Sequence, residues 1–289
     1  MILVTGAGGR TGSSTVHHLL AAGAPVRALV YPDDAEAGAL PAGVEAVAGD
    51  FERPETLAPA MHGVTSVFLV APGSPRLVAQ EANVISAAAQ AGVGRVVKVS
   101  AIGAADDSAF SITRWHAESE RLLKSSGMAW TILQPNFFMQ NVLVMFPTIL
   151  SEATIYAPAG DGRISMVDAG DVGAVAAAVL TGGGHEETTY VVTGPEPLSL
   201  AEVATRVSPA AGREVGYVDL PPEQARRAMM AHGTREPFAD ALLGLFQFVK
   251  DGHAAVVTDA VATIARRPPR TLDQYLVEFG HEFQVAGGG

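Results

Sequence analysis

Short apolar runs alternate with longer segments of helical periodicity along the first half of the chain. Apolar residues recur at helical spacing at Val16, Leu19 and Leu20, for example. The apolar runs between such segments are continuous, which is typical of strands that are buried on both faces of a parallel sheet. Strands are predicted at Ile2 to Thr5, Val26 to Tyr31, Val44 to Ala48, Ser66 to Val70, Arg95 to Ser100 and Ala129 to Leu133. The pattern therefore predicts an α/β fold.

The second half has a looser pattern. It predicts a helix over about Asp171 to Leu180 and a strand in "TTYVVTG", followed by mixed helices. Ser199 precedes a helical segment with Glu202 three residues on, which predicts a capping box. We expect a dinucleotide-binding domain over residues 1–150 and a smaller α/β substrate lobe over 151–289, interleaved with the last sheet strands. The terminal "VAGGG" is predicted to be disordered.

Composition narrows the class of partner. The net charge is −11 over 289 residues, with only three lysines, which argues against nucleic acid and anionic membranes. There is no cysteine, so disulfides and thiolate metal sites are excluded, and no metal motif is seen. The start of the chain does not resemble a signal peptide, and no apolar run is long enough to span a bilayer. We expect a cytoplasmic monomer or homodimer that acts on a small molecule.

A glycine loop follows the first predicted strand. In "VTGAGGRTG", Gly6, Gly9 and Gly12 have GxxGxxG spacing, with Arg10 and Thr11 inside the loop. The loop leads directly into an amphipathic helix, whose N-terminal N–H groups and dipole favour a pyrophosphate. The alternative is a tight glycine turn without a ligand. The position of the loop favours a Rossmann-type, doubly wound parallel sheet that binds a nicotinamide dinucleotide.

The end of the second strand discriminates between NADPH and NADH. An acidic residue there would bind the ribose 2′-hydroxyl, and an arginine would bind a 2′-phosphate. This chain has Tyr31, which does neither, while Asp33 and Asp34 follow slightly later. Arg10 is the cation that we expect to meet a 2′-phosphate. The sequence thus favours NADPH slightly, and NADH stays open.

Four segments together carry a family resemblance: the glycine loop, "VAGDFERPETL", "VGRVVKVSAIGA" and "SSGMAWTILQPNFFMQN". With them the chain resembles the NmrA-like branch of the atypical short-chain dehydrogenases/reductases. Within that branch it is similar to the type 2 NAD(P)H:quinone oxidoreductase and triphenylmethane reductase group. The resemblance continues through "SMVDAGDVGAVAAAVL" and "ARRPPRTLDQYL".

The resemblance implies further cofactor-binding positions, all near carboxyl ends of predicted strands, where open α/β sheets bind ligands. Asp50 matches an adenine-contacting position, although an Asp there is also a common turn or helix cap. The matched residues are Asp50, Phe51, Val70, Ala71, Pro72, Ser100, Ala101, Pro135, Asn136 and Phe137.

The wider superfamily uses a Tyr-x-x-x-Lys pair that this chain lacks. The resemblance places the tyrosine position at Ile112 and the lysine position at His116. Three interpretations of His116 stay open: it hydrogen-bonds the nicotinamide ribose in place of the lysine, it protonates the substrate as a catalytic acid, or it is a helix residue without function. Trp115, Phe138 and Met139 are expected to line an aromatic substrate pocket, or to belong to the core.

The missing tyrosine indicates which acceptors fit. Reduction of an ordinary ketone needs a proton donor for the developing alkoxide. A quinone or a cationic dye delocalises the incoming charge and needs no such donor. The sequence therefore favours an NAD(P)H-dependent oxidoreductase acting on quinones, azo dyes or triphenylmethane dyes. The alternatives are a dinucleotide-binding redox sensor of the NmrA type without turnover and, third, an isomerase or epimerase.

Overall fold

The computed structural model describes residues 1–31 and 40–283. Asp33 and Asp34, which bear on the choice of cofactor, and the "VAGGG" tail, which was predicted to be disordered, lie outside the described residues.

A seven-stranded parallel sheet forms the centre of the molecule. Its strand order is β3-β2-β1-β4-β5-β6-β9, so the chain reverses direction across the sheet between β1 and β4. Ligands of doubly wound folds bind at such a switch point, beyond the carboxyl ends of the strands. The strands are β1 (Ile2–Val4), β2 (Val26–Val30), β3 (Glu45–Ala48), β4 (Ser66–Leu69), β5 (Arg95–Val99), β6 (Ala129–Pro135) and β9 (Thr188–Val192).

Helices cover both faces of this sheet. One apolar cluster joins Val4 and Phe68 to Val16 and Val172. A second joins Leu3 and Leu69 on the opposite face to helices farther along the chain. The first face is covered by α1 (Arg10–Ala21), α7 (Ala169–Thr181) and α11 (Ala260–Ile264), and the second by α2 (Leu57–Ala60), α3 (Leu77–Gln90) and α4 (Ser111–Lys124).

The remaining elements form a lobe with a separate apolar cluster. Its two small sheets pair β7 with β11 in parallel and β8 with β10 in antiparallel orientation. The strands are β7 (Thr154–Ala157), β8 (Arg163–Ile164), β10 (Leu198–Ser199) and β11 (Gly216–Asp219). The helices are α5 (Asn141–Met145), α6 (Thr148–Glu152), α8 (Leu200–Ala211), α9 (Pro222–Ala231), α10 (Glu236–Lys250) and α12 (Leu272–Phe279).

The predicted α/β fold is confirmed, and the seven predicted strands, including "TTYVVTG", end within two residues of the observed bounds. Strand β6 differs by two residues and continues to Pro135 because that end pairs with Val192 of β9. The capping box of Ser199 and Glu202 is present at α8. Helix α7 and strand β9 belong to the central layers although they follow residue 150. Over the described ranges, no helix combines the length and apolarity that a membrane crossing requires.

Candidate active site

The glycine loop is shaped by contacts that exclude larger residues. Gly6 has a φ of +58°, and a Cβ there would lie 2.9 Å from Val70 Cγ1. A Cβ on Gly12 would lie 2.0 Å from the Gly6 carbonyl oxygen. Side chains are therefore incompatible with the close approach of α1 to the end of β1. Gly9 is the N-cap and supplies no capping side chain, so the first N–H groups of α1 remain available to an anionic ligand.

A cavity of about 480 Å³ lies beside this loop, at the ends of β2 and β3. Asp50 contributes to its wall and also shapes a turn, since its Oδ1 accepts from the Glu52 backbone N–H at 2.8 Å. The turn and ligand interpretations of Asp50 are thus compatible. The predicted residues in this wall are Gly6, Gly9, Tyr31, Asp50, Phe51, Val70 and Pro72.

This cavity also has a cation that the sequence did not predict. Arg76 lines the cavity and pairs with Glu52 at 2.6 Å, and Gln80 donates to the same carboxylate at 2.9 Å. Arg10 does not line this cavity, and its guanidinium donates to the Gln140 carbonyl. Among the described residues that line this cavity, Arg76 is the one arginine.

A second cavity of about 280 Å³ continues on the other side of the glycine loop. Apart from the guanidinium of Arg10, none of the described side chains lining it is ionisable. Its lining residues are Gly6, Gly9, Arg10, Thr11, Gly12, Val70, Ala71, Pro72, Phe138, Gln140, Asn141 and Ala169. Nine of these twelve were predicted from the sequence; Gln140, Asn141 and Ala169 were not.

Gln140 ties this second cavity to the start of α7. Its side-chain amide donates to Asp168 Oδ1 at 2.6 Å and its Oε1 accepts from the Ala169 N–H at 3.1 Å. Asp168 caps α7 and pairs with Arg270 at 2.8 Å. The wall opposite the glycine loop is therefore held by a continuous polar chain from Arg10 to Arg270.

His116 lies on the buried face of α4, against β5. Only 9% of its surface is exposed, and its Nδ1 lies 3.3 Å from Lys98 Nζ. The fully buried Lys98 also reaches Glu81 Oε2 at 2.8 Å and donates to the Val99 carbonyl at 3.0 Å. An ammonium has three N–H donors and no acceptor. All three donors of Lys98 therefore have a partner, and His116 Nδ1 is the third acceptor.

Burial, and after it the charge of Lys98, disfavours protonation of His116. Burial, together with repulsion from the Lys98 ammonium, lowers the pKa of His116 well below 6.5. The imidazole is consequently neutral near pH 7, with its hydrogen on Nε2 because Nδ1 faces a donor. In this state His116 can donate one hydrogen bond from Nε2 but is a poor source of a proton.

A second buried network lies one turn farther along α4. Glu120 Oε1 accepts from Ser100 Oγ at 2.6 Å and from Gln134 Nε2 at 2.9 Å. Glu120 Oε2 pairs with Lys124 at 3.2 Å. The hydroxyl of Ser100 is therefore directed at α4, and Ser100 lies outside the walls of the two cavities, as does Ala101.

The other predicted residues lie behind the cavity walls. Asn136 is 2% exposed; its amide donates to the Ala254 carbonyl at 2.7 Å and its Oδ1 accepts from the Phe137 N–H. Met139 is 2% exposed within the lobe core, against which Phe137 packs. Pro135, Trp115 and His116 line neither cavity. Phe138 is the predicted aromatic side chain that lines the second cavity.

The sequence analysis did not predict Lys98 and Glu81 as residues of the site, although their positions in the apolar pattern point to a buried pair. Lys98 interrupts the apolar run "RVVKVS", and Glu81 falls among the apolar positions of "LVAQEANVIS". A charged residue in a buried position requires a partner. Two opposite charges on predicted buried faces could have been paired.

No group of three side chains suited to a metal ion occurs within residues 1–31 and 40–283.

Comparison with known proteins agrees with this geometry. The NmrA-like family model matches residues 1–276. The chain is 45% identical over 287 residues to the NAD(P)H azoreductase of Xenophilus azovorans, covering 99% of this chain and 100% of that protein. It is 30% identical over 246 residues to quinone oxidoreductase 2 of Escherichia coli, covering 84% and 85% of the two chains.

The fold also matches a solved structure with a dinucleotide. The NADPH complex of the NADPH-dependent quinone oxidoreductase from Escherichia coli matches with a TM-score of 0.87 at 27% identity, over 96% of this chain and 99% of that chain. The resemblance inferred from the motifs is confirmed, and the chain belongs to the NmrA-like family.

Proposed function

We propose that this NAD(P)H-dependent oxidoreductase reduces quinones or similar conjugated acceptors, of the azo or triphenylmethane dye type, without a Tyr-x-x-x-Lys pair. The observation that carries the proposal is the second cavity, whose described wall holds no side chain that could release a proton near pH 7. Its aromatic and amide groups suit a flat, conjugated acceptor. Reduction of an isolated ketone would require a donor at this place.

The residues of the chain supply binding, orientation and exclusion of water. A nicotinamide bound in the cleft supplies the hydride. The α1 N-terminus holds the pyrophosphate, and Gly12 permits its close approach. Phe138 would supply an aromatic surface for the reacting rings, and the hydrogen bond from Arg10 to Gln140 fixes the wall of the second cavity. A quinone spreads the incoming negative charge over its ring and oxygens and takes its protons from water, so positioning contributes most of the rate.

We propose that His116 acts as a donor to the nicotinamide ribose rather than as an acid. The lowered pKa of His116 disfavours direct protonation of the substrate near pH 7. Its Nδ1 is held by Lys98, which leaves Nε2–H as the remaining ring donor. Strand register supports this position, since Lys98 pairs with Leu69, the residue before the cavity-lining Val70.

We propose NADPH as the preferred cofactor. Arg76 lines the same cavity as Tyr31, which follows the strand whose end meets the adenosine ribose of a dinucleotide in this fold. Glu52 also lines this cavity and pairs with Arg76. A 2′-phosphate would compete with Glu52 for the guanidinium, so the preference is expected to be moderate.

The test is oxidation of NADPH and NADH by the purified protein in the presence of quinones, azo dyes and triphenylmethane dyes, followed by the loss of nicotinamide absorbance. Acceptor-dependent oxidation, with a higher kcat/KM for NADPH, is expected. Gly12→Ala should weaken dinucleotide binding by about tenfold or more, a loss above about 1.4 kcal/mol. Gly183→Ala is the matched control, since its Cβ would meet nothing within 4 Å. Tight dinucleotide binding without oxidation by any acceptor would support the sensor alternative.

A further inference from the structure

A third cavity, of about 740 Å³, separates the Rossmann layer from the lobe. One wall is the segment Gly73–Arg76, which follows β4. The other wall is the turn between α9 and α10, from His232 to Phe238. Its volume lies within the range of small-molecule sites, about 300–1,000 Å³.

The third cavity adjoins the dinucleotide cleft along one segment of chain. Ala71 and Pro72 line the second cavity, and the residues immediately following them, from Gly73, line the third. Arg76 lines both the first and the third cavities. A ligand in the third cavity would therefore lie beside a cofactor in the first cavity, and one short segment of chain would separate it from an acceptor ring in the second.

The charge of this cavity is opposite to that of the chain. Its described lining includes Arg76 and Arg235 and no carboxylate, although the net charge of the whole chain is −11. The acidic residues of the first turns of α10 do not line it. Glu236, which follows Arg235 in sequence, and Asp240 both pair with Arg226 of α9.

The remaining lining residues of the third cavity suit an aromatic ring system. Pro75, Pro237 and Phe238 present apolar surface between the two arginines. Guanidinium groups bind planar oxyanions such as sulfonate, carboxylate and phosphate through parallel hydrogen bonds. An aromatic ring with an oxyanion substituent satisfies both features of the wall.

We propose that this cavity binds the anionic substituent of an aromatic acceptor, with Arg235 as the specificity-determining cation. The inference depends on the proposed reductase function, because it defines which acceptors that site prefers. Arg235 is preferred to Arg76 because Arg76 is already paired with Glu52, whereas no carboxylate of the described residues pairs with Arg235.

The test compares 1,4-naphthoquinone with 1,4-naphthoquinone-2-sulfonate in wild type and in Arg235→Gln. For each protein, the KM for the sulfonate is divided by the KM for the parent quinone. This ratio is then compared between wild type and the variant, so that the different intrinsic reactivity of the two quinones cancels. Loss of one solvent-exposed charge contact should raise the sulfonate-to-parent KM ratio about threefold to fivefold. Added NaCl should raise the same ratio in wild type and have less effect in Arg235→Gln.

Arg227→Gln is the matched control, because Arg227 is an exposed arginine of the same lobe that does not line the cavity. It should leave the ratio unchanged. An equal ratio in wild type and Arg235→Gln, or an equal shift in Arg227→Gln, would overturn the inference.

Binding of naphthalene-2-sulfonate, which accepts no hydride, separates this inference from the proposed function. Calorimetry on the NADPH-loaded protein should show binding that Arg235→Gln weakens. If this binding is seen while no acceptor is reduced, the reductase function fails and the anion site stands. If acceptors are reduced but neither the binding nor the KM ratio depends on Arg235, the anion site fails and the reductase function stands.

Discussion

At the residue scale, the most informative group is the buried set of Lys98, Glu81 and His116. Two full charges lie at 0% exposure, a position that is costly unless each charge is paired and hydrogen-bonded. Lys98 meets this condition with three acceptors, and Glu81 Oε2 also accepts from Ser119. Such a set tolerates the removal of both charges far better than the removal of one.

Lys98→Met should lower the free energy of unfolding by about 3–5 kcal/mol, because it leaves the Glu81 carboxylate buried without a cation. The double variant Lys98→Met/Glu81→Leu should recover most of this loss. Urea unfolding of both variants checks the prediction. A loss below about 1 kcal/mol in Lys98→Met would show that the pair is not buried as described.

His116 should make stability depend on pH in a defined direction. Its folded-state pKa lies well below 6.5 because of burial and Lys98. Below pH 6.5 the unfolded chain therefore binds a proton that the folded protein does not, and stability falls as the pH falls toward the folded-state pKa. Between about pH 7 and pH 5.5, wild type should lose about 1 kcal/mol more than His116→Asn.

His116→Asn is suited to this comparison because its side-chain oxygen keeps an acceptor for Lys98. The measurement is the free energy of unfolding at several pH values for both proteins. Parallel curves over this window would show that His116 does not titrate with a lowered pKa.

At the element scale, the contact between α1 and α7 determines where the glycine loop lies. A Cβ on Gly173 would lie 2.4 Å from Ser14 Oγ and 2.8 Å from the Thr15 backbone nitrogen. The two helices are therefore closer than side chains would permit. Because α1 begins at the glycine loop, the separation of these helices also positions the first N–H groups of α1, which we propose as pyrophosphate donors.

Gly173→Ala tests this coupling. Helix propensity alone predicts a gain of about 1 kcal/mol for Ala over Gly within a helix. The contact with α1 predicts a loss of about 1–3 kcal/mol from overpacking, together with weaker NADPH binding. Unfolding and NADPH titration measure the two effects. Gly183→Ala, just after the same helix, should change neither, and a stabilised Gly173→Ala would contradict the close contact.

At the scale of the whole molecule, the C-terminal segment connects the lobe to the Rossmann layer through salt bridges with two carboxylates at the start of α7. Asp168 pairs with Arg270, and Asp171 pairs with Arg267 at 2.7 Å. Burial raises the pKa of Asp171, while hydrogen bonding from the Arg270 backbone N–H and the charge of Arg267 oppose that rise. Asp168 also accepts a hydrogen bond from Gln140, so it helps to position the wall of the second cavity.

Arg270→Met should destabilise the protein by about 1–3 kcal/mol, because it leaves the 5% exposed Asp168 without its cation. It should also weaken NADPH binding through the Gln140 wall. Arg206→Met is the control: Arg206 likewise pairs with two carboxylates, but these are 35% and 60% exposed. The control should cost at most about 1 kcal/mol. Equal losses in the two variants would show that burial of Asp168 has no energetic consequence.

The sequence by itself determined the α/β fold, the seven strands of the central sheet, the glycine loop and the absence of the Tyr-x-x-x-Lys pair. These features depend on local periodicity and on residues that are neighbours along the chain, so they can be inferred from the amino-acid sequence alone. Gly6, Gly9 and Gly12, for example, act through a turn of only seven residues.

The tertiary structure alone decided which side chains meet. Lys98 contacts His116 across 18 positions of sequence, Arg10 reaches Gln140 across 130, and the third cavity joins residues near 75 to residues near 235. Such contacts depend on strand order and helix packing, which bring distant segments together. The same packing placed Met139 in the lobe core and Phe138 in the cavity wall, although the two are adjacent in sequence and similar in apolar character.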